Sequence, residues 1–148
     1  MNLLSRRSLL AIAAVTDIAL HARPSPVSAK ALAARHNLPP RQLEPILQAL
    51  VRHAILKGVR GPRGGYELAR ERRRITAGDI VRIAMSAEGE ELATLPNSAL
   101  VERVVGPLVA RGTAAFLSEL DGVTLDDLCA RAQATGAAQG RSDGDFTI

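Results

Sequence analysis

The chain has one cysteine, Cys129, no tryptophan, and only 2% aromatic residues. A single thiol excludes an intrachain disulfide framework and a cysteine-based zinc finger, and it fits a reducing cytoplasm. So few aromatics leave no stacking platform for single-stranded RNA or DNA. No apolar run is long enough to span a bilayer, so no membrane partner is expected. Catalytic signatures are missing too. There is no Gly-x-Ser-x-Gly turn, and the glycines at 58, 61, 64 and 65 lack the lysine and the following Ser/Thr of a phosphate-binding loop. No enzymatic activity is expected.

What is present is aliphatic. Apolar residues make up 47% of the 148, mostly Ala, Leu, Val and Ile, enough for the core of one α-rich domain with an appendage. Charge is divided along the chain. Residues 1–85 hold 15 Lys/Arg against 5 Asp/Glu, and residues 86–148 hold 4 against 10. A basic first half joined to an acidic second half suggests a polyanion-binding module attached to something else.

Ser5-Arg6-Arg7-Ser8-Leu9-Leu10 followed by an apolar run has the form of a twin-arginine export signal. Asp17 and His21 interrupt that run, however, and no small-x-small site follows closely. Leu9, Ile12, Ala13, Thr16, Ala19 and Leu20 instead fall on one helix face, which predicts a helix over Leu4–Ala22 capped by Ser5. Pro24 and Pro26 end it. Ser28 caps a short helix to about Arg35, Asn37-Leu38-Pro39 forms a tight turn, and Pro40 opens a helix to about His53. In that helix Leu43, Ile46, Leu47, Leu50 and Val51 form the apolar face, with Arg41, Gln42, Glu44, Gln48 and Arg52 opposite. Pro45 removes a donor there and should bend it.

Ile55–Val59 and Tyr66–Ala69 read as two short strands around Arg60-Gly61-Pro62-Arg63-Gly64-Gly65. Helix, turn, helix and hairpin is the winged helix-turn-helix order. The expected fold is mostly α with a small β-hairpin wing, joined to a long dimerisation helix. Ile75-Thr76-Ala77-Gly78-Asp79-Ile80 and Val123-Thr124-Leu125-Asp126-Asp127-Leu128 each carry a capping box with Asp at the third helical position. Ser86–Asn97 is acidic and aperiodic, a loop. Ser98–Leu120 has a wide apolar stripe, with a kink expected at Gly106-Pro107 and a second copy of the chain as the expected partner. Gly136–Ile148 has the composition of a disordered tail. The division is thus 1–85 for the winged domain, 86–97 for the loop, 98–135 for dimerisation and 136–148 for the tail.

The segments Val27-Ser28-Ala29-Lys30, Pro39–Leu47 and Val59–Tyr66, in this order and spacing, resemble the Rrf2 family of bacterial winged helix-turn-helix transcription regulators. The resemblance runs from about Leu4 to Ala132. It implies a homodimer on double-stranded DNA, with a recognition helix in the major groove and a wing arginine in the minor groove. Carried over by position, Arg41, Gln42 and Glu44 belong to the recognition helix, Glu44 keeping the carboxylate that can accept from cytosine N4. Arg60 is the wing arginine and Arg63 its neighbour. Arg6, Arg7, Ser28 and Lys30 lie where phosphates would be met. Members that bind an iron–sulfur cluster carry three cysteines at the stretch matching about Ala93–Val105, where this chain has none. Such a cluster needs several thiolates, so no cofactor is expected.

Arg70–Arg74 reads as a mainly solvated charge run. His21, His36 and His53 lie on three helices with no Cys or carboxylate partner at ligand spacing, so no metal site is expected. Cys129 reads as a buried structural thiol. The sequence therefore predicts a cytoplasmic dimeric regulator, in the main a repressor of a palindromic operator, which an unknown small molecule or protein effector would switch. The other reading keeps the fold and makes the basic face a docking surface for an acidic protein partner.

Overall fold

In the computed structural model, residues 3–87 and 97–139 are described. Helix α1, Arg6–His21, starts where the Ser5 hydroxyl accepts the Ser8 N–H at 3.2 Å. Ala11, Ala14, Val15 and Ile18 follow at i, i+3, i+4 and i+7, and all are essentially sequestered from solvent. These residues sit in the middle of the hydrophobic cluster. Cleavage of this segment as an export signal would remove the centre of the core. Among the described residues no helix is long and apolar enough to cross a membrane.

Helix α2, Ala29–Arg35, is capped by Ser28, whose hydroxyl accepts the Ala31 N–H at 3.1 Å. Helix α3, Pro40–Arg52, begins on Pro39 with Pro40 in its first turn, where the missing N–H costs no hydrogen bond. It buries Leu43, Ile46, Leu47, Ala49 and Leu50. Each fully buried Leu or Ile contributes about 1.5–3 kcal/mol. The helix continues through Pro45, which is exposed and cannot donate to the Arg41 carbonyl one turn earlier.

Strands β1, Leu56–Val59, and β2, Gly65–Leu68, form the expected hairpin in antiparallel register, Leu56 opposite Leu68 and Val59 opposite Gly65. The hairpin is not isolated. Val27 and Tyr66 exchange both backbone bonds, at 2.8 and 2.9 Å, so the residue before the α2 cap extends the sheet. This contact requires Gly65, because a Cβ there would lie 2.3 Å from the Val27 carbonyl oxygen.

Helix α4, Ala77–Ala87, has its predicted capping box. The Thr76 hydroxyl accepts the Asp79 N–H at 3.1 Å, and the Asp79 carboxylate accepts the Thr76 N–H at 3.0 Å. Ser86 and Ala87 extend this helix past the expected loop boundary. Residues 88–96, the rest of that loop, lie outside the described residues.

The expected long helix is interrupted. Val101–Val105 forms a π turn, followed by α5, Gly106–Asp121. The Gly106 N–H reaches back to the Val101 carbonyl, and a Cβ at position 106 would sit 2.8 Å from that oxygen. Pro107 has no N–H for the Arg103 carbonyl. The wider turn accommodates this break, where a simple kink was expected.

Helix α6, Leu125–Ala134, has the second capping box, built by Thr124 and Asp127. Its hydrogen bonds from Thr124 hold the Asp127 carboxyl below its ordinary value. The two capped starts pair with each other. The Ala77 N–H donates to Val123 O at 2.9 Å and the Leu125 N–H to Ile75 O at 2.8 Å. Leu125 and Cys129 thereby join the core built by α1 to α4. Burial pushes the Cys129 thiol up, as befits an unreactive core residue. The first residues of the expected tail, Ala137–Gln139, form a 3-10 turn, and residues 140–148 lie outside the described residues.

Candidate nucleic-acid interface

The candidate residues lie on the start of α1, the start of α3 and the hairpin; the first two are joined by a side-chain contact and the third is tied to the start of α2. In the first two turns of α3, Leu43, Ile46 and Leu47 are fixed in the core. That leaves Arg41, Gln42 and Glu44 exposed on the outer face. The α1 start lies beside this face, where Arg6 Nη2 donates to Gln42 Oε1 at 3.3 Å. Arg7 is less exposed, and its buried Nε has no hydrogen-bond partner among the described residues.

The hairpin tip turns at Gly61, whose φ of +117° is a conformation L side chains rarely adopt. The Gly64 N–H closes the turn on Gly61 O at 2.9 Å. Arg60 and Arg63 are both exposed on this tip. Because Tyr66 is bonded to Val27, the wing is registered against the α2 start, where Ser28 and exposed Lys30 sit. A cleft of about 390 Å³ separates wing from helix and is lined by residues that include His21, Ser28, Arg35 and Arg63. The Ser28 hydroxyl is engaged as the α2 cap, so its first role is structural. Arg6, Lys30, Arg41, Arg60 and Arg63 are all exposed, as is the carboxylate Glu44 on α3. Such a surface suits a polyanion, with room for one acceptor-based discrimination.

Six residues have roles that sequence reasoning missed. Arg70 Nε and Nη2 donate to the Ala54 and His53 carbonyls at 3.1 and 3.2 Å, satisfying the C-terminal end of α3. Arg72 donates to the Ala19 carbonyl near the end of α1. These two arginines of the charge run are thus ties between elements. The histidine expectation also needs correction. Asp17, only 7% exposed, accepts from Arg35 Nη2 at 2.5 Å and from Nε at 2.9 and 3.1 Å, with His36 Nε2 at 3.0 Å; His21 Nδ1 donates to the Asp17 backbone carbonyl at 2.9 Å and lies 3.3 Å from the carboxylate. Two of the three histidines therefore share one carboxylate. Arg35 occupies that carboxylate, and the cluster joins α1 to α2 and is not arranged for a metal. Burial alone would push the Asp17 carboxyl up. The Arg35 hydrogen bonds and charge, with those of His21 and His36, outweigh this and hold it below its ordinary value. The Asp17–His21 pair stands at ordinary i,i+4 helical spacing; only the Arg35 and His36 partners, 18 and 19 positions away, were hidden from the sequence.

The apolar stripe of the π turn and α5 is uncovered, with Leu100, Val104 and Leu108 65, 58 and 66% exposed. Arg82 on α4 holds Asp121 at the far end of α5 at 2.6 and 2.8 Å.

A family model described as an iron-dependent transcriptional regulator, Rrf2, matches residues 4–131. The chain is 36% identical over 142 residues to slr0846 of Synechocystis, a protein whose name describes an HTH-type transcriptional regulator, covering 93% of this chain and 94% of that one. Two solved structures share the fold. IscR of T. potens aligns with a TM-score of 0.69 at 30% identity over 89% of both chains. CymR, the global cysteine regulator of B. subtilis, aligns at 0.67 and 30% identity over 88% of this chain and 98% of that one. Despite the family's description, the donor set does not fit a cysteine-held cluster, since the single thiol lies inside the core. With the exposed α3 face, the hairpin tied beside α2 and these matches, the chain belongs to the Rrf2 family of DNA-binding helix-turn-helix transcriptional regulators.

Proposed function

We propose that this regulator binds a palindromic operator as a homodimer and represses transcription from it. The observation that carries the reading is that Arg41, Gln42 and Glu44 are exposed on α3 while Arg60 and Arg63 are exposed at the tip of the hairpin that follows it. In this reading α3 enters the major groove, Glu44 accepts from a cytosine and Arg60 reads the minor groove. Arg6, Arg7, Lys30 and Arg63 meet phosphates, and the Ser28 region positions the backbone. The uncovered stripe of Leu100, Val104 and Leu108 supports pairing with a second copy, since aliphatic side chains at this spacing gain little by facing water. Repression, a cytoplasmic location and control by a small molecule or protein effector complete the reading. It includes no iron–sulfur cluster.

Selection of bound duplexes from a random pool by the purified protein tests it. The expected product is a palindrome whose half-sites lie about 10–10.5 base pairs apart, centre to centre, or a multiple of that. Salt-sensitive binding with no enriched sequence would contradict the operator reading and favour docking of an acidic partner protein.

A further inference from the structure

We infer that Arg6 is a positioning residue for Gln42, fixing which end of the Gln42 amide faces the DNA. The inference rests on the recognition-helix reading above and adds to it a rule for one base. Arg6 is the first residue of α1, held by the Ser5 cap, and Gln42 lies in the first turn of α3, its N–H bonded to Pro39 O at 3.0 Å. Both backbones are therefore set by their helices, and the side chains meet at 3.3 Å.

A guanidinium has five N–H donors and no acceptor, whereas a glutamine amide has an acceptor end and a donor end. Only one orientation of Gln42 satisfies the contact, with Oε1 toward Arg6. The flipped amide would place donors against donors. Nε2 is then the end of the amide not engaged by Arg6. An amide presenting donors favours a base edge rich in acceptors: guanine offers two, N7 and O6, and thymine O4, whereas adenine pairs its one acceptor, N7, with the N6 donor. Adenine is read best when the same amide presents its oxygen and its nitrogen together. The Arg6 contact uses Nη2, so the remaining N–H groups are free for a phosphate. One side chain would thus couple backbone position to base choice.

The test is selection from a random duplex pool with the full chain and with Arg6→Ala and Gln42→Ala, at one salt concentration. Both side chains are exposed, so neither substitution touches the core. The wild type is expected to show guanine or thymine at one position of each half-site, and Gln42→Ala to flatten that position alone. Arg6→Ala should reduce the preference over adenine there by about fivefold, the equivalent of one ordinary hydrogen bond, and leave other positions unchanged. A variant at Arg6 that binds more weakly with every base preference intact would make it a phosphate contact only. That result overturns this inference and leaves the recognition-helix reading standing. Adenine at the Gln42 position in the wild type would overturn the donor-end assignment. An unchanged Gln42→Ala profile would overturn both the inference and the reading of Gln42. Failure of the wild type to enrich any sequence would overturn the operator reading itself.

Discussion

Replacing Asp17 by asparagine keeps its shape and removes the one negative charge shared by Arg35, His21 and His36. Arg35 donates to this carboxylate from Nη2 at 2.5 Å and from Nε at 2.9 and 3.1 Å, and His36 Nε2 lies 3.0 Å from it. An asparagine amide would turn donors toward a guanidinium that has only donors. Breaking a fully buried pair by removing one partner costs about 3–5 kcal/mol. Arg35 and His36 are 25 and 29% exposed, so water can take over part of their solvation. The expected loss is therefore about 2–3 kcal/mol. At about 3–5 °C per kcal/mol for a domain of this size, the melting midpoint should fall by about 6–15 °C. The pH dependence has a definite sign. The Asp17 carboxyl is held below its ordinary value in the folded state. Its stabilisation is then complete above the unfolded-state value of about 3.9 and is lost as pH falls through the lower folded-state value. Urea unfolding of both proteins at pH 7, 5 and 3 measures this. A gap under about 1 kcal/mol at pH 7 would refute the assignment of a shared, buried charge. So would a gap that widens as the pH falls below 4.

Other consequences are local. Gly65→Ala places a Cβ 2.3 Å from the Val27 carbonyl, so the two Val27–Tyr66 bonds should break. A stability loss of about 1–3 kcal/mol is expected, with a larger loss of specific DNA binding than of nonspecific binding, measured by unfolding and by titration. Ala54 sits at φ +58° without being glycine, so Ala54→Gly should stabilise the protein by about 0.5–1 kcal/mol in urea unfolding. Val104→Glu, placed in the 58%-exposed stripe, should shift the protein to monomer in sedimentation and lower operator affinity without lowering the helix content seen by circular dichroism. Lys30→Ala should weaken binding to all duplexes alike and reduce the salt slope by about one unit, measured by titration at several salt concentrations.

Much of the fold was legible because its punctuation is local. Ser5, Ser28, Thr76 and Thr124 each sit before an apolar run, and each caps the helix it was expected to cap. The hairpin was legible from Gly61, Gly64 and Gly65 between two short runs, and its strands shifted by only one residue. What was not legible depends on contacts between distant segments. Arg70 and Arg72 look like members of a solvated run until α1 and α3 present their terminal carbonyls. Asp17 looks like an interruption of an apolar helix until α2 brings Arg35 and His36 beneath it. The pairing of Thr76 with Thr124 draws α6 into the core of the first half, and no periodicity in either segment signals that. At the candidate site, exposure of Arg41, Gln42 and Glu44 followed from the helix pattern, whereas the Arg6–Gln42 contact depends on the crossing of α1 and α3.

In the proposed complex the α3 face and the wing read sequence together. The most direct measurement of this is a competition titration at about 0.15 M salt, with the selected palindrome against a scrambled duplex of equal length, for the wild type and for Arg60→Ala. The wild type is expected to prefer the palindrome by at least about 10³, and Arg60→Ala to reduce that ratio while keeping most of its affinity for scrambled DNA. A wild-type ratio near one, or an equal loss on both duplexes for Arg60→Ala, would show that the two elements do not read sequence together.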